Sequence, residues 1–329
     1  MGAVLSRTGR GRCRQRRRCR SAAGGNRRPE LILVAGGTGR LGTLVVRQLS
    51  EAGLRVRVLT RDPRRAEHVN AAHVEVVTGD VRDRRSLASA FAGVDTVVSA
   101  VQGFAGKGGV SPSSIDRDGN INLIEAARDA GADMVLVSVI GAAANSPMEL
   151  FRMKYAAEQR LKGSGVPFTI VRASAFLELW IELMQDTAKR SGRPLVFGRG
   201  NNPINFVSVI DVAALVSRVV ADPAKRGLSL EIGGPDNLSF NELANLVQRS
   251  AGRSKAPRHV PRPMLRAAAE TVGRFKPAVG RQVRAALVMD SSDFTFDRNA
   301  VEEAYADLPR TSAASLLGPD QPGANAAGP

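Results

Sequence analysis

Beyond residue 28 the chain contains no cysteine: Cys13 and Cys19 are its only two, and both stand among arginines rather than beside histidine or further cysteine. That excludes a disulfide framework or a thiolate metal site in the body and fits a reducing cytoplasm. Nor is there an apolar run of about 18 residues, so no membrane span is expected. Acidic residues are missing from the first 28 positions, which hold ten arginines. Setting that stretch aside leaves 37 of the 47 basic side chains against all 31 acidic ones, and lowers the formal net charge from +16 to +6. The basic character is thus mostly a property of the leader. The body is only mildly cationic, and no nucleic-acid partner is expected.

Met1 to Arg28 also lacks an apolar pattern to bury and any aromatic side chain to stack on bases. Its Arg-rich, acid-free composition resembles an organelle transit peptide, and Met1-Gly2 with Ser6 meets the minimal myristoylation pattern with a polybasic segment behind it. The plainer expectation is a disordered extension, or an upstream start codon ahead of a domain that begins near Pro29. Arg310 to Pro329, rich in Ala, Gly, Pro and Ser, is read as a disordered tail.

What is present begins at Leu31. Four apolar residues and an alanine give a buried-strand signal, glycines follow at Gly36, Gly39 and Gly42, and helical spacing continues from Thr43. Strand, tight turn and helix start in that order form a dinucleotide-binding motif. Glycine there permits unusual backbone angles and brings the main chain against a diphosphate. The helix that opens next turns its free N–H groups and positive dipole end toward the anion.

Alternating strands and helices continue downstream, which predicts a doubly wound α/β fold on a parallel sheet. Strands are expected at 55–60, 73–78, 96–100, 134–139, 167–172 and 228–232. Helices are expected at 86–91, at 115–130 with Gly131 as its stop, at 149–162, at 212–221 capped by Asp211, and at 240–250 capped by Ser239. The second strand ends in Arg61-Asp-Pro-Arg-Arg65. At that place an acidic residue favours NAD and an arginine accommodates the phosphate of NADP, so Arg61 points to NADP, with Asp62 keeping NAD open. Asp80 and Val81 would border the adenine, and Ala100 to Gln102 would pass beneath the ribose and diphosphate. Residues 173–205 and 233–309 would build a small C-terminal substrate lobe.

Several further segments resemble one family. They are Ala35-Gly-Gly-Thr-Gly-Arg-Leu-Gly42, Gly79-Asp80, Ser138-Val-Ile-Gly141, Lys154-Tyr-Ala-Ala-Glu158, Ser164 to Arg172, Phe206 to Ala213 and Glu231-Ile-Gly-Gly-Pro235. Over roughly residues 30–308 the chain resembles the NmrA-like, or atypical, short-chain dehydrogenase/reductase group. The resemblance implies an NAD(P)-binding Rossmann domain with a small C-terminal lobe. It implies that Gly36, Thr38, Gly39, Arg40, Leu41 and Gly42 bind the diphosphate, that Arg61 takes the ribose phosphate, and that Lys154 holds the nicotinamide ribose. Ser138 lies near the superfamily's catalytic serine.

One departure narrows the chemistry. The wider superfamily places a proton-donating tyrosine four residues before the lysine, and here that position is Leu150. Tyr155 lies next to Lys154, about 100° around the helix, and does not replace it. Without the phenol, an acceptor whose charge delocalises on reduction is favoured over a plain ketone. The expectation is therefore an NADP-dependent oxidoreductase acting on a small hydrophobic acceptor such as a quinone, with Lys154 and Ser138 as catalytic candidates. Phe176, Trp180 and Met184, spaced by four, would either wall its pocket or form the core stripe of a helix. A dinucleotide-binding regulator without turnover is the alternative. Oligomeric state is not legible.

Overall fold

The first strand, Leu31–Ala35 (β1), is buried along its whole length, as a strand covered on both faces must be. The computed structural model describes residues 30–69, 71–106, 109–297 and 307–318; the leader lies outside them. After β1 come Arg40–Glu51 (α1), Arg55–Thr60 (β2), Val74–Thr78 (β3), Arg84–Leu87 (α2) and Thr96–Ser99 (β4). A π-helical turn, Pro112–Arg117, leads into Asp118–Ala130 (α3), then Asp133–Val139 (β5), Glu149–Lys162 (α4) and Phe168–Ala173 (β6). The remainder is Ala175–Phe176 (β7), Leu177–Ser191 (α5), Leu195–Phe197 (β8), Pro203–Val207 (β9), Val209–Ala221 (α6), Leu228–Ile232 (β10) and Asn237–Ser239 (β11). Phe240–Ser250 (α7), Arg258–Val260 (β12), Arg262–Phe275 (α8), Pro277–Met289 (α9) and Ala313–Leu317 (α10) close it.

Seven strands form one parallel sheet in the order β10-β6-β5-β4-β1-β2-β3. This is the Rossmann arrangement, a doubly wound sheet with helices on both faces. Its strand order reverses between β1 and β4, and ligands of such sheets sit in the crevice at that switch point. Helix α1 turns Leu41, Val45, Val46 and Leu49 inward against the sheet, with Val212, Leu215 and Val216 of α6 in the same layer. The opposite layer joins Leu87, Leu123, Ile124, Ala157 and Leu161. A smaller core gathers Leu177, Met184, Phe206, Phe240 and Leu243 beside the short strands β7, β9 and β11. That lobe follows directly from the carboxyl end of β6.

Two expectations are corrected. Helix α6 starts at Val209, because Ser208 accepts from the Ile210 N–H and is the cap. Asp211 is instead buried at 2% exposure and accepts from the N–H and hydroxyl of Thr311, at 2.9 and 2.6 Å. That contact, with α10 and its Ser312 cap, gives residues 310–318 a defined structure where a disordered tail was expected. Residues 319–329 lie outside the described ones.

Candidate functional site

The glycine turn is shaped by contact with β4. Gly36 has φ +87°, and a side chain there would meet the Ala100 carbonyl oxygen at 2.7 Å. At Gly42 a Cβ would lie 2.1 Å from the Gly36 oxygen, so helix and turn close only on glycine. Gly39 differs: a Cβ there would have one near neighbour, the Gly36 oxygen at 3.3 Å, and would otherwise fill the space in front of the turn. Gly39 is also the N-cap of α1 and supplies no side-chain cap, so the first intrahelical bond is Thr43 N–H to its oxygen at 2.8 Å. The N–H groups of Arg40, Leu41 and Gly42 thus stand at a helix start without intrahelical partners. Leu41 packs its side chain into the core at 5% exposure, leaving only its backbone for a ligand. Thr38 is half-buried beside them.

Arg40 does not stand free. Its guanidinium makes a two-point ion pair with Glu182 of α5, and those hydrogen bonds raise its pKa above the ordinary value. The pair ties the lobe to the mouth of the turn. Sequence reasoning missed Glu182, although Glu178, Glu182 and Asp186 mark an acidic edge at four-residue spacing.

At the carboxyl end of β2, Arg61 is exposed. Asp62 is engaged by Arg64, whose Nε and backbone N–H donate to Oδ1 at 3.1 and 3.2 Å, and these bonds lower its pKa. Asp80 pairs with Arg82 at 2.6 Å, which likewise holds its carboxyl low. Val81 lies under α3 at 9% exposure, against Gly119.

Lys154 is 4% exposed, so it is not a solvent partner of Glu158. Its Nζ donates to the carbonyls of Val101, just past β4, and Val137 on β5, at 3.1 and 3.0 Å. Asp116 Oδ1 lies 3.1 Å away, a buried ion pair whose attraction is mainly coulombic. The other oxygen of Asp116 accepts the Gly103 N–H at 2.8 Å. Burial pushes the Asp116 carboxyl above its ordinary pKa, against the pull of Lys154. Asp116 belongs to the π-helical turn, a feature common at functional sites, and the smooth helical pattern from Ile115 did not announce it.

Ser138 belongs to another cluster. Its hydroxyl is buried and donates to Glu158 Oε1 at 2.6 Å, and Glu158 accepts two bonds from Arg172, which also reaches Glu231. The lobe residues divide as well. Met184, 1% exposed, has no surface for a substrate, and Trp180 packs on Phe240 with ring centroids 4.6 Å apart, so both belong to the core stripe. Phe176, half-buried, stands just beyond the carboxyl end of β6. Leu150, where the superfamily's tyrosine would be, is 6% exposed.

The chain is 31% identical over 224 residues to an NAD(P)H azoreductase of Xenophilus azovorans, covering 68% of this chain and 74% of that protein. It is 26% identical over 310 residues to a phenylcoumaran benzylic ether reductase of Ginkgo biloba, covering 87% and 97%. An NADPH-dependent quinone oxidoreductase of Escherichia coli has a similar fold, with a TM-score of 0.72 at 21% identity over 87% of this chain and 98% of that one. A triphenylmethane reductase of Citrobacter sp. gives 0.71 at 20% identity over the same shares. The model of the NmrA-like family matches residues 28–296, and the chain belongs to that family.

Proposed function

We propose that the protein is an NADP-dependent oxidoreductase that reduces a small, hydrophobic, easily reduced acceptor such as a quinone. The observation that carries this reading is the open, uncapped turn at Gly39, at the switch point between β1 and β4. A diphosphate fits it because the missing side chain leaves room and the helix start supplies donors. Gly36, Thr38, Gly39, Arg40, Leu41 and Gly42 would hold the diphosphate, mainly through the backbone. Arg61 would take the ribose phosphate, and the engagement of Asp62 by Arg64 favours NADP over NAD. Asp80 and Val81 would border the adenine, with Ala100 beneath the ribose. Lys154 donates to two carbonyls and pairs with Asp116, and from that place it would hold the nicotinamide ribose. Phe176 is the substrate-wall candidate.

When bound, the dinucleotide supplies a hydride, and a proton from water completes the two-electron reduction of a quinone to a hydroquinone. The protein supplies orientation more than acid. Leu150 offers no proton, and the Ser138 hydroxyl is spent on Glu158. Lys154 is primarily a positioning residue that fixes the loop after β4. That fits an acceptor whose developing charge is delocalised. The relative of Xenophilus azovorans named above is an azoreductase, which supports an acceptor of this kind. The test is the steady rate of NADPH oxidation with a panel of benzoquinones, naphthoquinones, azo dyes and plain ketones. Turnover with the conjugated acceptors and none with the ketones is expected; dinucleotide binding without turnover on any of them would overturn the enzyme reading.

A further inference from the structure

The body's positive charge is concentrated in one place. Between residues 249 and 284 stand ten lysines and arginines against one acid, Glu270, a net charge of +9. Residues 29–329 carry +6 in all, so everything else in the body sums to −3. Among the described residues only Arg262 of these ten has a carboxylate partner, Asp290 at 3.4 Å. Arg249, Arg253, Lys255, Arg258, Arg266, Arg274, Lys276 and Arg284 are exposed.

The same segment leaves apolar side chains in water. On α8, Met264 is 62% exposed, Val272 41% and Phe275 85%. With the half-buried Ala268 they fall within about 80° of the helix circumference, a face distinct from the buried Leu265 and Ala269. Helices α8 and α9 form a closed hairpin, since a Cβ on Gly280 would lie 2.7 Å from the Cα of Gly273. Phe275 stands at the bend of that hairpin between Arg274 and Lys276. Arg281 of α9 donates to the carbonyls of Gly106 and Val110, so the hairpin abuts the loop that follows β4.

We propose that the α8–α9 hairpin docks on an anionic lipid surface, with Phe275 entering the headgroup and acyl boundary and the flanking cations on lipid phosphates. An aromatic at a bend with a cation on either side has the chemistry such a surface recognises, and the aliphatic row behind it adds apolar area. Charge excludes the other occupants within reach. The leader, with ten arginines and no acid, is repelled by this face, and so is the same face of a second copy. A nucleic acid would satisfy the cations but not the row of Met264, Val272 and Phe275.

The experiment uses the full chain with Phe275→Trp, against the wild type, whose emission comes from Trp180 alone. Vesicles of phosphatidylcholine, with or without phosphatidylglycerol, are the probe. The variant's extra emission should shift to the blue and be quenched by brominated acyl chains only when phosphatidylglycerol is present. Adding Arg274→Glu and Lys276→Glu should weaken partitioning about tenfold or more, with the thermal midpoint unchanged. If the chain sediments with vesicles while the Phe275→Trp emission stays unmoved, the leader alone carries the binding and the proposal fails. It fails equally if the charge reversals abolish binding to a DNA duplex and the vesicles have no effect.

Discussion

Lys154 and Asp116 form a pair with 5% and 0% side-chain exposure, and each also holds the loop after β4 through a backbone bond. Removing one partner strands the other in a low-dielectric interior. Lys154→Met should therefore destabilise the fold by about 3 kcal/mol, and Asp116→Asn in the same background should recover part of that loss. Urea unfolding of the two single variants and the double closes the cycle; strictly additive losses would show that the two groups do not interact. The double variant separates stability from turnover. It should still lose about tenfold in rate, because the loop it leaves behind has no ammonium to fix it. Tyr155→Phe should change neither quantity. At Arg61 the expected effect is on the choice of cofactor. A charge-assisted phosphate contact contributes about 1.5 to 3 kcal/mol, so Arg61→Ala should weaken NADPH binding by about tenfold or more and leave NADH nearly unchanged. Titration of both dinucleotides decides it, and equal affinities in the wild type would remove Arg61 from the site.

At the scale of elements, the ion pair from Arg40 of α1 to Glu182 of α5 stands across the mouth of the glycine turn. If the proposed diphosphate also reaches the Arg40 side chain, it would compete with Glu182 for the same guanidinium. The pair is 35% and 51% exposed, so the competition is worth at most about 1 kcal/mol. Glu182→Gln should tighten NADPH by up to about fivefold, as a titration would read, and weaker binding would mean that the pair helps to shape the site. Another contact between elements gives a pH signature. Burial raises the pKa of Asp211, the neighbouring Glu178 adds to the rise, and the bonds from Thr311 oppose both. A raised folded value means that the native state holds the proton more tightly than the unfolded chain. Stability from this group is then full below the unfolded pKa of about 3.9 and is lost as pH rises through the folded value. The difference in thermal midpoint between wild type and Asp211→Asn should move against the wild type as pH rises through that window. A pH-independent difference would contradict the assignment.

For the whole molecule, the described fold is closed without the first 28 residues: both faces of the seven-stranded sheet are already covered by helices. Deleting Met1 to Arg28 should leave the unfolding midpoint and NADPH affinity unchanged. A fall of more than a few degrees would signal packing of the leader on the body, since about 1 kcal/mol moves a domain of this size by roughly 2 to 4 °C. Sequence alone determined the order of strands and helices through the seven-stranded sheet, though not the short elements of the lobe, because β1 and the helical stripes must bury their apolar side chains at fixed periods. It determined the glycine turn too, since close backbone approach admits glycine and little else. Tertiary structure decided which polar groups meet. By spacing alone, Lys154 and Glu158, four apart on α4, fit a surface pair with each other just as well. The fold buries both and gives one to Asp116 and the other to Arg172, from elements 38 residues upstream and 14 downstream. Asp211 was turned from a helix cap into an anchor for α10 in the same way, and of the two readings open for Met184 the packing took the core. Periodicity reports which face a residue occupies, but the partner on that face comes from another part of the chain, and only the packed structure brings it there.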